Sequence, residues 1–164
     1  FDYLSFFGQK NQHLELKVGK KNIKDKEINI KNIINQKKNI LLKVDIEGGE
    51  YEILNDIKFY NKKINCLIIE FHDIKKNLKK IYNFINDIKD LKSVHIHCNN
   101  INKLDKYGYP YAIEITFINV KKIKHEKISN FKNYPISGLD FPSVKRNDDI
   151  KINFIWNIYE KDKD

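Results

Sequence analysis

The sequence has little of several residue types that would narrow its class. Among its 164 residues there is no methionine, and there are only three prolines and two cysteines, Cys66 and Cys98. Both cysteines lie within apolar stretches, so we expect reduced core thiols in a cytoplasmic protein rather than a disulfide scaffold. No apolar run approaches the roughly 20 residues that a membrane-spanning helix requires. The hydrophobic fraction of 41% is that of a globular chain, which we expect to form a single domain over residues 1–164.

Arginine is nearly absent, although the formal net charge is +9. Arg146 is the only arginine among 31 basic residues, and the lysines are spread along the chain. Arginine is the side chain that favours bidentate binding of bases and phosphates. We therefore interpret the charge as a solvated, lysine-rich surface and predict no nucleic-acid partner.

A glycine-rich nucleotide loop is also missing. No two of the six glycines stand in the GxG spacing that such loops use. The chain begins at Phe1 and has no initiator methionine. We therefore expect it to be an internal or truncated piece of a longer protein.

The segment from Leu42 to Glu50, which reads LKVDIEGGE, carries the strongest signal. It places Asp45, Glu47 and two glycines directly after an apolar run. Such a run is typical of a buried parallel strand, and apolar residues at helical spacing follow it. In open α/β sheets the ligand crevice lies just outside the carboxyl ends of the strands. The segment therefore predicts a strand, an acidic glycine turn and a helix, with Asp45 and Glu47 at a functional site.

Strand and helix patterns alternate through the rest of the chain, which favours a doubly wound α/β sheet with an antiparallel edge strand. The predicted adjacent parallel strands are Ile40–Val44, Ile64–Phe71 and Ser93–Cys98, and the predicted antiparallel strand is Tyr111–Val120. The predicted helices are Gly49–Ile57 and Ile74–Ile88. Weaker patterns predict a strand over His13–Val18, a short strand that turns into a helix over 28–34, an edge strand at Ile150–Trp156, and an irregular segment, Ile123–Asp149, that could lie over the site.

If the three strands are parallel, their carboxyl ends bring polar side chains to one edge of the sheet. Aspartate and histidine at adjacent strand ends suit general-base chemistry on a hydroxyl. A second interpretation stays open for Asp45 and Glu47, because the helix dipole favours acids at a helix N-terminus. For Glu50, in the first helical turn, the dipole is the better explanation. The side chains expected at this edge are Asp45, Glu47, Glu70, His72, His97, Asn99 and Asn100.

His95 and His97 share one face of a strand because they are two residues apart. An H-x-H pair on a strand can bind zinc or iron, and Glu70 or His72 could then serve as the third ligand. The alternative is a pair of hydrogen-bonded histidines in the core or at its rim.

Five segments resemble, in order, motifs of the FkbM-type S-adenosylmethionine-dependent methyltransferases. Leu42–Glu50 is similar to the family's LKIDxEGxE signature. The family's E-[FH]-H, H-x-H-x-N-N, L-E-L-T-[FW] and L-D-[YF]-P-N elements are resembled by Ile69–His72, Val94–Asn100, Ile113–Phe117 and Leu139–Ser143, the last with serine in place of asparagine. Together the resemblance covers about positions 1 to 145.

The resemblance implies a class I methyltransferase fold with a Rossmann-like doubly wound sheet. It also implies methyl transfer from S-adenosylmethionine to a hydroxyl of a sugar, glycan, lipid-linked or small-metabolite acceptor. We assign no metal ligand, and the sequence leaves metal dependence open. The residues it implicates are Asp45, His72 and Glu47 in catalysis, Asp2 and Asp45 in cofactor binding, and His97, Asn99 and Asn100 in acceptor binding. Asp45 is expected to orient or deprotonate the acceptor, and His72 is the second candidate for the base.

The family's glycine-rich cofactor loop has no counterpart in this chain. The segment that begins at Phe1 resembles the end of the family's second strand, whose acid contacts the cofactor ribose, and this implicates Asp2. On this alignment the first strands lie upstream, so we expect weak cofactor binding by this chain. Two other hypotheses stay open: a metal-dependent hydrolase or oxygenase that uses His95 and His97, and a non-catalytic remnant that binds a partner through the uncovered side of its sheet.

Overall fold

The computed structural model describes residues 17–19, 23–24, 26–122 and 133–153, which form a mixed α/β arrangement. The strands are β1 Lys17–Gly19, β2 Glu27–Asn29, β3 Ile40–Val44, β4 Ile64–His72, β5 Leu91–Cys98, β6 Ala112–Asn119, β7 Asn133–Tyr134 and β8 Ile152–Asn153. The helices are α1 Ile30–Asn35, α2 Glu50–Phe59 and α3 Ile74–Asp87, with 3₁₀ turns at Asn61–Lys63 and Val120–Lys122.

The main sheet has four strands in the order β3-β4-β6-β5. Strands β3 and β4 are parallel, and Val44 pairs with Ile69 in their register. Strand β6 is antiparallel to both β4 and β5. In the described part of the chain β1 pairs with β2, and β7 pairs with β8, in two small separate sheets.

Helices α2 and α3 cover one face of the main sheet. The inward side chains of β4, among them Leu67, Ile69 and Phe71, are fully buried there. Phe84 of α3 makes edge-to-face ring contacts with Phe71 and with Phe117 of β6, at centroid distances of 6.1 and 6.2 Å. Because each buried aromatic ring removes a large apolar area from water, this face supplies much of the core.

The prediction of three adjacent parallel strands with an antiparallel strand at the edge is wrong in one respect. Strand β6 lies between β4 and β5, so the antiparallel strand is internal and β5 is at the edge. The physical reason is that β6 returns from β5 through the connection at 99–111 and finds a hydrogen-bonding partner on each side. Apolar continuity reports burial on both faces of a strand but not which strand lies beside it.

Most predicted elements are confirmed with small shifts in their bounds. Helix α3 ends one residue before its predicted end, and the strand-to-helix pattern over 28–34 corresponds to β2 and α1. Both cysteines are free thiols. In the described residues, no helix is long and apolar enough to cross a membrane. Asp2, most of His13–Val18 and the residues after Asn153 lie outside the described residues, as does 123–132.

Candidate active site

The turn after β3 has a backbone geometry that few residues adopt easily. Glu47 has a φ of 50° and Gly48 a φ of 95°, both in the left-handed region. The amide of Gly49 donates to the carbonyl of Ile46 at 3.0 Å, which closes the turn. A non-glycine residue with positive φ is uncommon and is often held in place at a functional site. Helix α2 then begins at Glu50, one residue after its predicted start at Gly49.

The end of the neighbouring strand β4 carries His72, whose side chain is only 5% exposed. The parallel register of β3 and β4 places this strand end beside the turn after β3. One ligand atom from each of Asp45, Glu47 and His72 lies within 4.8 Å of the others. The carboxylates of Asp45 and Glu47 are exposed, so the three groups form an open cluster at the carboxyl edge of the sheet.

Glu50 is the residue of this region whose burial the sequence did not reveal. It does lie in the first turn of α2, but its side chain is completely buried. Its carboxylate accepts the amide of Gly48 at 2.9 Å through one oxygen and the amide of His72 at 2.8 Å through the other. Glu50 therefore joins the turn after β3 to the end of β4. The signal that could have found it is the second glutamate of the EGxE signature.

The ring of His72 is oriented by carboxylates on both sides. Its Nδ1 lies 3.3 Å from the Glu50 carboxylate, and its Nε2 lies 3.4 Å from that of Glu47. An ionised carboxylate only accepts hydrogen bonds, so the neutral tautomer that fits the buried Glu50 has its proton on Nδ1. In that tautomer Nε2, which faces the Glu47 carboxylate at the open cluster, carries the lone pair.

Tyr51 holds the backbone at the same strand end, because its hydroxyl donates to the carbonyl of His72. Burial raises the pKa of the Tyr51 hydroxyl, and the charges of Glu50 and Asp73 add to this effect. The hydroxyl therefore stays protonated and remains a donor. Asp73, which follows His72, also has a left-handed backbone, with a φ of 50°, and precedes α3.

A cavity of about 570 Å³ opens beside this strand end. Tyr111 lines it and also contacts the His72 ring, at a centroid distance of 6.1 Å. The other lining residues come from the first turn of α3 and from the loop between β5 and β6: Asp73, Ile74, Lys75, Lys76, Asn102, Lys103, Asp105, Tyr109 and Pro110. The cavity is therefore mixed in charge, with aromatic and polar walls; Asp45, Glu47 and His72 do not line it, and Tyr111 is the lining residue that contacts the His72 ring.

Asn99 follows β5 and lies at the same edge of the sheet, but not in the cluster. Its backbone amide donates to the carbonyl of Ala112 at 3.0 Å. Its side-chain amide donates to the carboxylate of Glu70 at 2.8 Å. Asn99 is thus linked to β4 two residues before His72, while Asp45 and His72 are brought together directly.

His97 and Asn100 hold the segment 133–153 against the sheet. The His97 Nε2 lies 3.1 Å from the carboxylate of Asp149. Asn100 is buried. Its side-chain NH₂ group donates to the carbonyls of Val144 and Asn147, and its side-chain oxygen accepts a hydrogen bond from the backbone amide of Val144. These bonds occupy both ends of the Asn100 side chain.

In the described residues, His95 and His97 of β5 are not part of a converging group of metal ligands. The His95 Nε2 lies 2.7 Å from Asp140, and His97 lies against a different carboxylate, that of Asp149. Within the described residues, three ligand groups converge only at Asp45, Glu47 and His72. A metal centre built on His95 and His97 is therefore not supported by the structure.

The mixed sheet, with acidic residues at one edge, belongs to an α/β domain. The family model of the methyltransferase FkbM domain matches residues 6–111, well over half of the chain. The chain belongs to this family, which confirms the resemblance seen in the sequence. The match includes the first three motifs, whereas Ile113–Phe117 and Leu139–Ser143 lie beyond it. The chain matches no curated protein and no solved structure.

Proposed function

We propose that this methyltransferase domain transfers a methyl group from S-adenosylmethionine to a hydroxyl of a sugar, glycan, lipid-linked or small-metabolite acceptor. One observation carries the proposal: two parallel strands of an FkbM domain bring Asp45, Glu47 and His72 together at one edge of the sheet. In α/β sheets this edge is where ligands bind. The two free thiols support a reducing compartment such as the cytoplasm.

His72 is the proposed general base. Its Nδ1 donates to the buried Glu50 carboxylate, which leaves Nε2 to accept the proton of the acceptor hydroxyl. As that proton leaves, the acceptor oxygen forms a bond to the methyl carbon, and the bond between this carbon and the sulfonium sulfur breaks. S-adenosylmethionine supplies the electrophilic methyl group, and the site contributes mainly by orienting the reactants.

Asp45 and Glu47 are the proposed positioning groups around His72. Both carboxylates are exposed and can accept hydrogen bonds from hydroxyl or amine groups of a bound ligand. At Asp45 these acceptor oxygens fit the ribose hydroxyl and amino groups of the cofactor. Asp2, the other proposed cofactor contact, lies outside the described residues.

The cavity beside His72 is the proposed acceptor site. Its volume of about 570 Å³ falls in the range of small-molecule pockets. Tyr109 and Tyr111 offer flat apolar faces for a sugar ring, and Asn102 and the lysines offer donors for its oxygens. His97 and Asn100 are proposed to act indirectly, by holding the segment 133–153, and Asn99 by fixing Glu70.

The sheet is proposed to be part of a class I, Rossmann-like sheet. Two parallel strands joined through α2 support this, as does the position of the polar residues at their carboxyl ends. Among the described residues, β3 pairs only with β4, and Leu41 on β3 is 68% exposed. That free edge is where further parallel strands would pair.

The proposal is tested by calorimetric titration of S-adenosylmethionine and by a radiolabelled methyl-transfer assay with a panel of hydroxylated acceptors. Both use this chain and a version extended at its amino terminus. We expect weak binding by this chain, because it has no glycine-rich loop to supply several hydrogen bonds of about 1 to 3 kcal/mol each. In the extended version Asp45→Asn and His72→Gln should abolish transfer, while Glu52→Gln, an exposed neighbour on α2, should not.

Full activity in Asp45→Asn or His72→Gln would refute the roles given to these residues. An extended chain that binds no S-adenosylmethionine would favour a non-catalytic module that binds a partner.

A further inference from the structure

We propose that Asp45, Glu47 and His72 form a binding site for a divalent cation, Mg²⁺ or Mn²⁺. This goes beyond the methyl-transfer proposal, because binding of the cation can occur and be measured without cofactor or acceptor. The site has two exposed carboxylates and one buried imidazole whose Nε2 is directed toward them. Carboxylate oxygens suit Mg²⁺ and Mn²⁺, and two of the three ligand groups here are carboxylates.

The distances fit a cation after small side-chain movements. With bonds of about 2.1 Å, two ligands on adjacent corners of an octahedron are about 3 Å apart, and two on opposite corners about 4.2 Å. The His72 Nε2 and the Glu47 carboxylate are 3.4 Å apart, and all three ligand atoms lie within 4.8 Å. Because Asp45 and Glu47 are exposed, their side chains can rotate until the three ligand atoms reach the separations that an octahedral cation requires.

The buried Glu50 supplies the second feature of a metal site. Histidines that bind metals almost always donate their other ring N–H to a carboxylate or carbonyl, which fixes the ring and makes the ligand nitrogen more basic. The His72 Nδ1 lies 3.3 Å from the Glu50 carboxylate, which is itself held by the amides of Gly48 and His72. The nitrogen that faces the cluster is therefore fixed in position before a cation arrives.

The charges around the cluster favour a cation. Asp45 and Glu47 each contribute one negative charge, and Glu50 lies behind the ring. Lys43, two residues before Asp45, is engaged elsewhere, because its ammonium lies 2.8 Å from the carboxylate of Glu114 on β6. The open side leaves coordination positions for water or for the hydroxyl oxygens of an acceptor, since Mg²⁺ usually keeps several such ligands.

A cation would take the lone pair that the base mechanism gives to the His72 Nε2. The two roles therefore exclude each other, and in the cation-bound site His72 would be a ligand and not the base. A bound cation would instead bind the acceptor oxygen and make its hydroxyl more acidic.

The experiment is a titration of the 164-residue chain with Mn²⁺, followed by the loss of the electron paramagnetic resonance signal of free Mn²⁺. We expect a single Mn²⁺ site, from which Mg²⁺ displaces the Mn²⁺. Asp45→Asn and Glu47→Gln should each weaken it by roughly tenfold or more, because each removes a charged ligand. Glu52→Gln, which changes an exposed glutamate outside the cluster, should leave it unchanged. Pulsed measurements should show coupling of Mn²⁺ to a ring nitrogen, and this coupling should be absent from His72→Gln.

The proposal is overturned if Mn²⁺ binds no site, or if Asp45→Asn and Glu47→Gln bind it as tightly as the unchanged chain does. Absence of nitrogen coupling in the unchanged chain would also overturn it. The two exposed substitutions keep the test valid if His72→Gln fails to fold, because neither changes a buried group. Mn²⁺ binding with the expected pattern, together with no methyl transfer by the version extended at its amino terminus, would support the cation site and refute the proposed function.

Discussion

Replacing Glu50 by alanine should destabilise the domain far more than an ordinary loss of a first-turn acid. The substitution removes two charge-assisted hydrogen bonds, to the amides of Gly48 and His72, and leaves a void where a fully buried side chain lay. The His72 amide is buried and loses its partner outright, whereas the Gly48 amide is only partly buried and can bond to water. Hydrogen bonds to charged groups contribute about 1.5 to 3 kcal/mol each, so we expect a loss of about 2 to 5 kcal/mol in the free energy of unfolding.

Urea unfolding followed by circular dichroism measures this loss, and Glu52→Ala provides the matched control. Glu52 lies in the same first turn of α2 but is exposed, so its substitution should cost well under about 1 kcal/mol through the helix dipole alone. Glu50→Gln keeps the shape of the side chain but presents an NH₂ group to one of the two donors. Its loss in the free energy of unfolding should therefore lie between those of Glu50→Ala and Glu52→Ala. Equal losses in Glu50→Ala and Glu52→Ala would refute the reasoning and return Glu50 to the dipole role that the sequence suggested.

Three further predictions follow from single features of the structure. Gly48→Ala should lower the unfolding free energy by about 1 to 2 kcal/mol through its left-handed backbone, and Gly48→Asn by less, as measured in urea. Burial raises the pKa of the Cys98 thiol to about 12; above the ordinary thiol pKa the unfolded chain ionises and the folded one does not. The free energy of unfolding should therefore fall as pH rises from the ordinary thiol pKa toward 12. Urea unfolding of Cys98→Ala should lack this part of the fall. Asn100→Ala should speed amide hydrogen exchange in residues 144–148, which its side chain holds, and leave exchange in β3 unchanged.

The sequence predicted the strand ends and the residues they carry because these depend on local pattern. Apolar runs that end in acids or histidine marked β3 and β4, and the helical stripe marked α3 to within one residue. The meeting of Asp45 with His72 then follows from the parallel pairing of two strands joined by a helix.

What the sequence did not predict depends on contacts between distant residues. The insertion of β6 beside β4 is decided by hydrogen bonds along a whole strand, which residue type does not encode. The contacts of His97 and Asn100 are with residues more than 40 positions later, on a segment without regular pattern. Glu50 was assigned to the helix dipole because an acid in a first turn needs no further explanation, and only burial distinguishes its second role.

The spacing of the acidic glycine turn follows from what Glu50 must reach. One of its oxygens bonds back to the amide of Gly48, two residues earlier, and the other bonds across to the amide of His72 at the end of β4. A glycine at position 48 permits the left-handed turn that directs its own amide toward Glu50. The carboxylate that stabilises this turn also orients the His72 ring, since Nδ1 lies 3.3 Å from it. Stability and site geometry therefore depend on one side chain, and a substitution at Glu50 that leaves the fold intact should still disturb whatever binds at His72.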